Sequence, residues 1–136
     1  MSLFYADTSA VIKLLVEEMH SKAFAAFYDS HAEAEWVSSA LLRIEVTRAV
    51  ARAMPALLPE ARDLLTAFSY ISIDDEVVDA AMSEPDRGLR SPDAIHLATA
   101  RLVAPELDAL VSYDDRLLRA ANDAGLATVS PGIEIA

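Results

Sequence analysis

The chain has 136 residues, of which 54% are hydrophobic and none is cysteine, and its formal net charge is -11. The length predicts one domain, residues 1–136, that buries well over half of its unfolded surface. The lack of cysteine excludes disulfides and thiolate metal sites. The negative charge argues against binding nucleic acid by broad neutralisation of phosphates, but a carboxylate cluster that binds divalent cations is compatible with it.

The sequence contains no feature of a membrane protein. No apolar run approaches the roughly 20 residues that a helix needs to cross a bilayer. The amino terminus lacks a basic segment and reaches a charge at Asp7, too early for a signal peptide. Together with the absence of cysteine, these features predict a cytoplasmic protein that does not associate with membranes.

Apolar runs, helix caps and Pro or Gly punctuation predict strands that alternate with helices. Thr8 or Ser9 is predicted to cap the first helix, Ser38 or Ser39 the third, and Ser91 the sixth. In chain order, the predicted elements are a strand at 3–6, helices at 10–16 and 20–30, a strand at 35–38, helices at 40–53 and 59–68, a strand at 70–73, helices at 76–82 and 91–103, a strand at 109–112, a helix at 115–124 and a strand at 127–129.

The predicted strands are short and apolar on both faces, which is typical of a parallel sheet covered by helices on both sides. We therefore predict an α/β fold. In such sheets, ligands bind beyond the carboxyl ends of the strands, where the strand order reverses. This rule directs attention to polar residues that directly follow a strand.

Two aspartates follow predicted strands. Asp7 comes directly after the first strand, and Asp114 follows the strand at 109–112 after one residue. If these strands are neighbours at the reversal, both carboxylates project into one crevice. Each aspartate also precedes a helix, so a purely structural role as a helix cap remains an alternative.

Two further acids lie on predicted helices. Asp93 is in the first turn of its helix, where an acid also stabilises the helix dipole. Glu45 stands above Leu41 and Ala49 by i, i+4 spacing, on or beside the buried stripe of its helix. It could be directed into a cleft or reach out to water. Carboxylates that share a cleft repel one another, and a hard divalent cation such as Mg²⁺ or Mn²⁺ would relieve that repulsion.

These residues lie in four segments that resemble the signature segments of PIN-domain nucleases, and most closely the VapC-type toxins of prokaryotic toxin–antitoxin pairs. The resemblance covers essentially the whole chain in the family's order. The segments are Tyr5–Leu15, Arg43–Val46, Ser91–Ala100 and Val111–Asp114. One departure is mild: the family usually has threonine where Ser112 stands, and serine keeps the hydroxyl.

The resemblance implies a single three-layer α/β/α PIN-like domain with a central parallel sheet of four to five short strands. It implies an endoribonuclease that depends on Mg²⁺ or Mn²⁺, with Ser9 supporting the first acid. It also implies a homodimer and a small cognate antitoxin. The catalytic and metal-binding residues that it implies are Asp7, Glu45, Asp93 and Asp114.

Several points stay open at this level. Asp115 could replace Asp114 as the fourth acid, although motif register favours Asp114. Arg87 and Arg90 could contact a phosphate or simply be solvated. His96 is interpreted as a packed or half-exposed helix residue that the reaction does not need.

Two other functions compete with the nuclease. One is a PIN-like module that has lost catalysis and only binds a partner, against which the complete set of four acids counts. The other is a receiver-type domain, which pairs a strand-end aspartate with a lysine late in the chain. The chain's lysines, Lys13 and Lys22, are both early, which disfavours this second alternative.

Overall fold

A computed structural model describes residues 1–133; residues 134–136 of the predicted domain lie outside the described residues. The strands are β1 (Leu3–Ala6), β2 (Glu35–Ser39), β3 (Ser69–Ile71), β4 (Ala109–Val111) and β5 (Thr128–Val129). The α-helices are α1 (Thr8–Val11), α2 (Ser21–Ser30), α3 (Leu41–Ala53), α4 (Leu58–Leu65), α5 (Asp75–Met82), α6 (Ser91–Leu102) and α7 (Asp115–Asp123). Short 3₁₀ helices cover Ile12–Leu14, Pro55–Leu57 and Ala104–Glu106.

The five strands form one parallel sheet in the order β3-β2-β1-β4-β5. Tyr5 of β1 pairs with Val37 on one side and Leu110 on the other. From β1 the chain first builds outward through β2 and β3, then returns to place β4 on the other side of β1. The strand order therefore reverses between β1 and β4, and the predicted α/β fold with a parallel sheet is confirmed.

Alternate residues of the central strands point into two separate cores. Phe4 and Ala6 contribute to the core beneath α1 to α4, which also contains Trp36 and Val111. Tyr5 points to the opposite face and packs in the core beneath α6 and α7. The sheet is thus covered on both faces, as the apolar strands predicted. None of the helices within residues 1–133 is long and apolar enough to cross a membrane.

Most element boundaries agree with the prediction to within two or three residues, but the three predicted helix caps do not hold the cap positions. Ala40 holds that of α3, although Ser39 Oγ accepts a hydrogen bond from Leu41 N at 3.1 Å. Asp7, and not Thr8 or Ser9, caps α1 by accepting a hydrogen bond from Ala10 N at 3.2 Å. Arg90 occupies the cap position of α6, so Ser91 is already helical and does not cap. The difference at α1 matters because the hydroxyls of Thr8 and Ser9 bind other groups around the site.

The first and fourth helices are also shorter than predicted. After Val11 the chain tightens into a 3₁₀ turn that ends at Leu14, so the α-helix does not reach residue 16. The helix α4 ends at Leu65, and the following residues turn so that Phe68 enters the core. Burial of this aromatic ring outweighs continuation of the helix.

Candidate active site

Asp7 lies at the carboxyl end of β1, at the reversal of strand order, and is only 3% exposed. Its Oδ1 accepts hydrogen bonds from Ser9 Oγ at 2.8 Å and from Ala10 N. Its Oδ2 accepts one from Ser112 Oγ at 2.8 Å. Burial raises the pKa of Asp7, and the charge of His96 and the two hydroxyl donors oppose that rise. Donors from the segments that follow β1 and β4 therefore hold this carboxylate in one orientation.

Glu45 is half-buried on α3 and reaches the same end of the sheet. Its Oε1 accepts hydrogen bonds from Thr8 Oγ1 at 2.7 Å and from His96 Nε2 at 2.7 Å. Burial alone would raise the pKa of Glu45, but the hydrogen bonds from His96 and Thr8 and the charge of His96 lower it overall. Glu45 is thus kept ionised, and its side chain does not extend freely into water.

Asp93 stands in the first turn of α6, and the charges of the other three predicted acids act on it. Burial raises its pKa to about 6, and the charges of Asp114, Asp7 and Glu45 contribute to the rise. Each of the other predicted acids therefore acts on Asp93. The structure brings all four predicted residues into one electrostatic neighbourhood.

A cleft of about 540 Å³ opens above this neighbourhood. Asp7 lies beneath it and is not part of its lining. Asp114 lines the cleft and also caps α7: its Oδ1 accepts hydrogen bonds from Arg116 N at 2.9 Å and from Leu117 N at 3.1 Å. The residues that line the cleft are Glu45, Arg90, Pro92, Asp93, Asp114, Asp115 and Arg116.

The donor set suits a hard divalent cation in its chemistry. The ligand atoms available are carboxylate oxygens, which Mg²⁺ and Mn²⁺ prefer. In residues 1–133, however, no three His, Asp or Glu side chains converge tightly enough to enclose one ion by themselves. That arrangement is compatible with Mg²⁺, which keeps several water ligands and binds directly to only one or two carboxylates. The residues present fit such an ion.

One member of this group, His96, is not among the predicted site residues. The sequence left it as packed or half-exposed, with no part in the site, and the structure buries it, with 2% of its surface exposed. Yet it contacts Glu45, and its other ring nitrogen, Nδ1, lies 2.7 Å from the hydroxyl of Tyr5. The sequence did hold one indication of this role. His96 follows Asp93 by three positions on the same helix, so the two side chains are neighbours on the helix surface.

Comparisons with known proteins agree with this geometry. Residues 4–123 match the PIN domain family. The chain is 42% identical over 133 residues to Ribonuclease VapC35 of Mycobacterium tuberculosis, covering 96% of this chain and 98% of that protein. It is 36% identical over 133 residues to Ribonuclease VapC47 of the same organism, with the same coverage.

Solved structures share the fold. The crystal structure of Mycobacterium tuberculosis VapC20, described as a sarcin-ricin loop cleaving toxin, aligns with a TM-score of 0.73 at 14% identity, covering 94% of this chain and 99% of that one. A toxin–antitoxin complex from Klebsiella pneumoniae aligns with a TM-score of 0.67 at 24% identity, covering 99% of this chain and 100% of that one.

A parallel α/β/α sandwich with a cluster of acids where its strand order reverses is the architecture of a carboxylate-based nuclease. The chain belongs to the PIN-domain family and, within it, to the VapC ribonucleases. The family and the nuclease activity predicted from the four sequence segments are confirmed.

Proposed function

We propose that this chain is an endoribonuclease that depends on Mg²⁺ or Mn²⁺ and acts as the toxin of a toxin–antitoxin pair. The observation that carries the proposal is the position of Glu45, Asp93 and Asp114 on the wall of one open cleft, with Asp7 beneath it. The charges of the other three acids contribute to the raised pKa of Asp93, about 6, and a divalent cation would relieve this repulsion. The relatives named above are ribonucleases, which supports RNA as the substrate.

In this proposal, Asp7 and Asp93 hold the principal metal ion, and Glu45 and Asp114 complete its surroundings or hold a second one. The bound ion would supply a Lewis acid for the phosphodiester and lower the pKa of a water molecule that attacks phosphorus. No side chain has to act as the nucleophile.

The chain's own residues orient and desolvate these acids. Ser9 and Ser112 hold the two oxygens of Asp7 and favour its ionised form. The buried position of Asp7 excludes water from one side of the site. Proton release from Asp93, whose pKa is about 6, makes its carboxylate available to a cation near neutral pH.

Two cations on the cleft wall support a polyanionic substrate. Arg90 and Arg116 both line the cleft beside the acids. Arginine binds phosphate through paired hydrogen bonds, so these residues can contact the RNA backbone in the cleft. Arg87, the other arginine considered from the sequence, is exposed and does not line this cleft.

We further propose that the chain acts as a single-domain cytoplasmic homodimer with a small cognate antitoxin. Among the structural relatives, one is a toxin–antitoxin complex and another is VapBC2 of Rickettsia felis bound to a promoter DNA fragment. The net charge of -11 would favour rapid association with a basic protein segment.

The decisive experiment compares wild type with Asp7→Asn on a short single-stranded RNA, with Mg²⁺, Mn²⁺ or EDTA. We expect metal-dependent cleavage by wild type and at least a hundredfold slower cleavage by Asp7→Asn. Asp63→Asn, the same chemical change at an exposed position of α4, is the matched control and should cleave as wild type does.

Undiminished cleavage by Asp7→Asn, or by wild type in EDTA, would contradict the proposal. A wild type that cleaves no RNA would instead support a PIN-like module that only binds a partner. Inducible expression of both variants, with sequencing of new RNA 5′ ends, would identify the target. We expect growth arrest with wild type alone.

A further inference from the structure

A buried chain of polar side chains links the core to the acidic cleft. It starts at Tyr5 on β1, which is fully buried, passes through His96 on α6 and ends at Glu45 on α3. The Tyr5 hydroxyl lies 2.7 Å from His96 Nδ1, and His96 Nε2 lies 2.7 Å from Glu45 Oε1. Three elements from distant parts of the sequence are joined by these two short hydrogen bonds.

The direction of the hydrogen bond to Glu45 follows from the groups involved. An ionised carboxylate only accepts, so His96 Nε2 carries the hydrogen that Glu45 receives. The Tyr5 oxygen accepts from Ser39 N at 3.2 Å and is paired with His96 Nδ1 at 2.7 Å. Tyr5 therefore occupies the other ring nitrogen and holds the imidazole with Nε2 facing Glu45, whether the ring is neutral or protonated.

Both donors to Glu45 meet the same oxygen. His96 and Thr8 each donate to Oε1 at 2.7 Å, from α6 and α1 respectively. Within residues 1–133, no hydrogen bond is made to Oε2. Glu45 lines the cleft, so one oxygen is anchored inside the protein while the other remains available to a ligand.

We infer that His96, held by Tyr5, is a positioning residue that fixes Glu45 so that Oε2 is presented to a metal ion in the cleft. The inference rests on the metal site proposed above. Carboxylate ligands are commonly oriented by such hydrogen bonds, and removing the orienting group typically costs roughly 10- to 100-fold in metal affinity or activity. A purely structural role would instead require only that a side chain fills the space between α6 and β1.

The test measures Mn²⁺ affinity by calorimetry on the purified protein without RNA, alongside urea unfolding in EDTA. His96→Leu fills the space without a donor, whereas His96→Gln places an amide N–H near the position of Nε2. We expect about tenfold or greater loss of Mn²⁺ affinity for His96→Leu and less than about threefold for His96→Gln. His96→Asn reaches Tyr5 but not Glu45, so it serves as a second donor-less variant if His96→Leu does not fold.

A double-mutant cycle separates orientation of Glu45 from any general effect. In a Glu45→Ala background, His96→Leu should cause no further loss of Mn²⁺ affinity, because its effect acts through Glu45. The inference is overturned if His96→Leu and His96→Asn bind Mn²⁺ as wild type does, or if the loss persists without Glu45. If wild type itself binds no Mn²⁺, the proposed metal site fails. If wild type binds Mn²⁺ and the His96 variants bind it equally well, this inference alone fails.

Discussion

The hydroxyl of Ser112 donates to Oδ2 of Asp7 across 2.8 Å and so connects the ends of β4 and β1 where the strand order reverses. Ser112 Oγ also accepts a hydrogen bond from the backbone N–H of Asp114 at 3.0 Å. One fully buried hydroxyl therefore sets the position of Asp7 and of the backbone that carries Asp114. This contact couples two of the four acids before any cation is bound.

Replacing Ser112 by alanine should weaken metal binding. The change removes a hydrogen bond to a charged group, worth about 1.5–3 kcal/mol, and lets the pKa of Asp7 rise further, so protons compete better with the cation. We expect Mn²⁺ affinity to fall about tenfold, measured by calorimetry at pH 7. Ser38→Ala is the matched control: Ser38 is equally buried at the end of β2 but donates to the Ala6 carbonyl. Equal losses in both variants would contradict this interpretation.

The raised pKa of Asp93 predicts a pH dependence of stability in EDTA. The folded pKa of about 6 lies above the unfolded value near 4, so the folded state binds the extra proton. The stabilisation from this group is complete below pH 4 and is lost as pH rises through 6. Wild type should therefore lose more stability than Asp93→Asn between pH 4 and pH 7, by about 1 kcal/mol after solvent screening of a half-buried group.

Urea unfolding of both proteins in EDTA, repeated across that pH range, measures the difference directly. The other carboxyl groups titrate in both proteins and largely cancel in the comparison. Parallel pH profiles for the two proteins would contradict the assigned pKa of Asp93, and so would a larger loss in the variant. Adding Mn²⁺ at pH 7 should restore stability to wild type alone, because the ion binds only the folded site.

The periodicity of apolar residues predicted all five strands and seven α-helices, because each element must bury a continuous face. It did not predict the strand order; the structure supplies the condition under which Asp7 and Asp114 come together, since β1 and β4 are neighbours at the reversal. Caps were harder to predict, since Asp7, Thr8 and Ser9 can all cap a helix. Tertiary contacts decided the outcome: Thr8 donates to Glu45 and Ser9 donates to Asp7.

The role of His96 lay beyond the sequence for a similar reason. A histidine between Ile95 and Leu97 on a helix is typical of a packed or half-exposed residue, and the structure buries it. Its contact with Glu45 spans 51 positions in the sequence. No local sequence pattern predicts a contact between two helices that are so distant along the chain. The packing of the two cores determines which residues of these helices meet.

Paired substitutions should show whether Asp114 or Asp115 is the fourth acid. Both line the cleft, but only Asp114 is among the charges that raise the pKa of Asp93. Asp114→Asn keeps an Oδ1 that can cap α7 while it removes this charge. We expect it to weaken Mn²⁺ binding about tenfold, and Asp115→Asn to weaken it less than threefold. A larger effect of Asp115→Asn in the same titration would reverse the assignment.

The loop before α6 depends on an ion pair remote from the cleft. Arg101 donates two hydrogen bonds to Glu84, at 2.9 and 2.8 Å, and the Glu84 side chain is only 4% exposed. Arg101→Met would leave this buried carboxylate unpaired, so we expect a loss of about 2 kcal/mol in the free energy of unfolding. Mn²⁺ affinity should stay within about twofold, because neither residue lines the acidic cleft.

Arg48→Met, at an exposed position of α3, is the control and should change stability by less than about 0.5 kcal/mol. Equal stability of the two variants in urea unfolding would show that the ion pair does not anchor this loop.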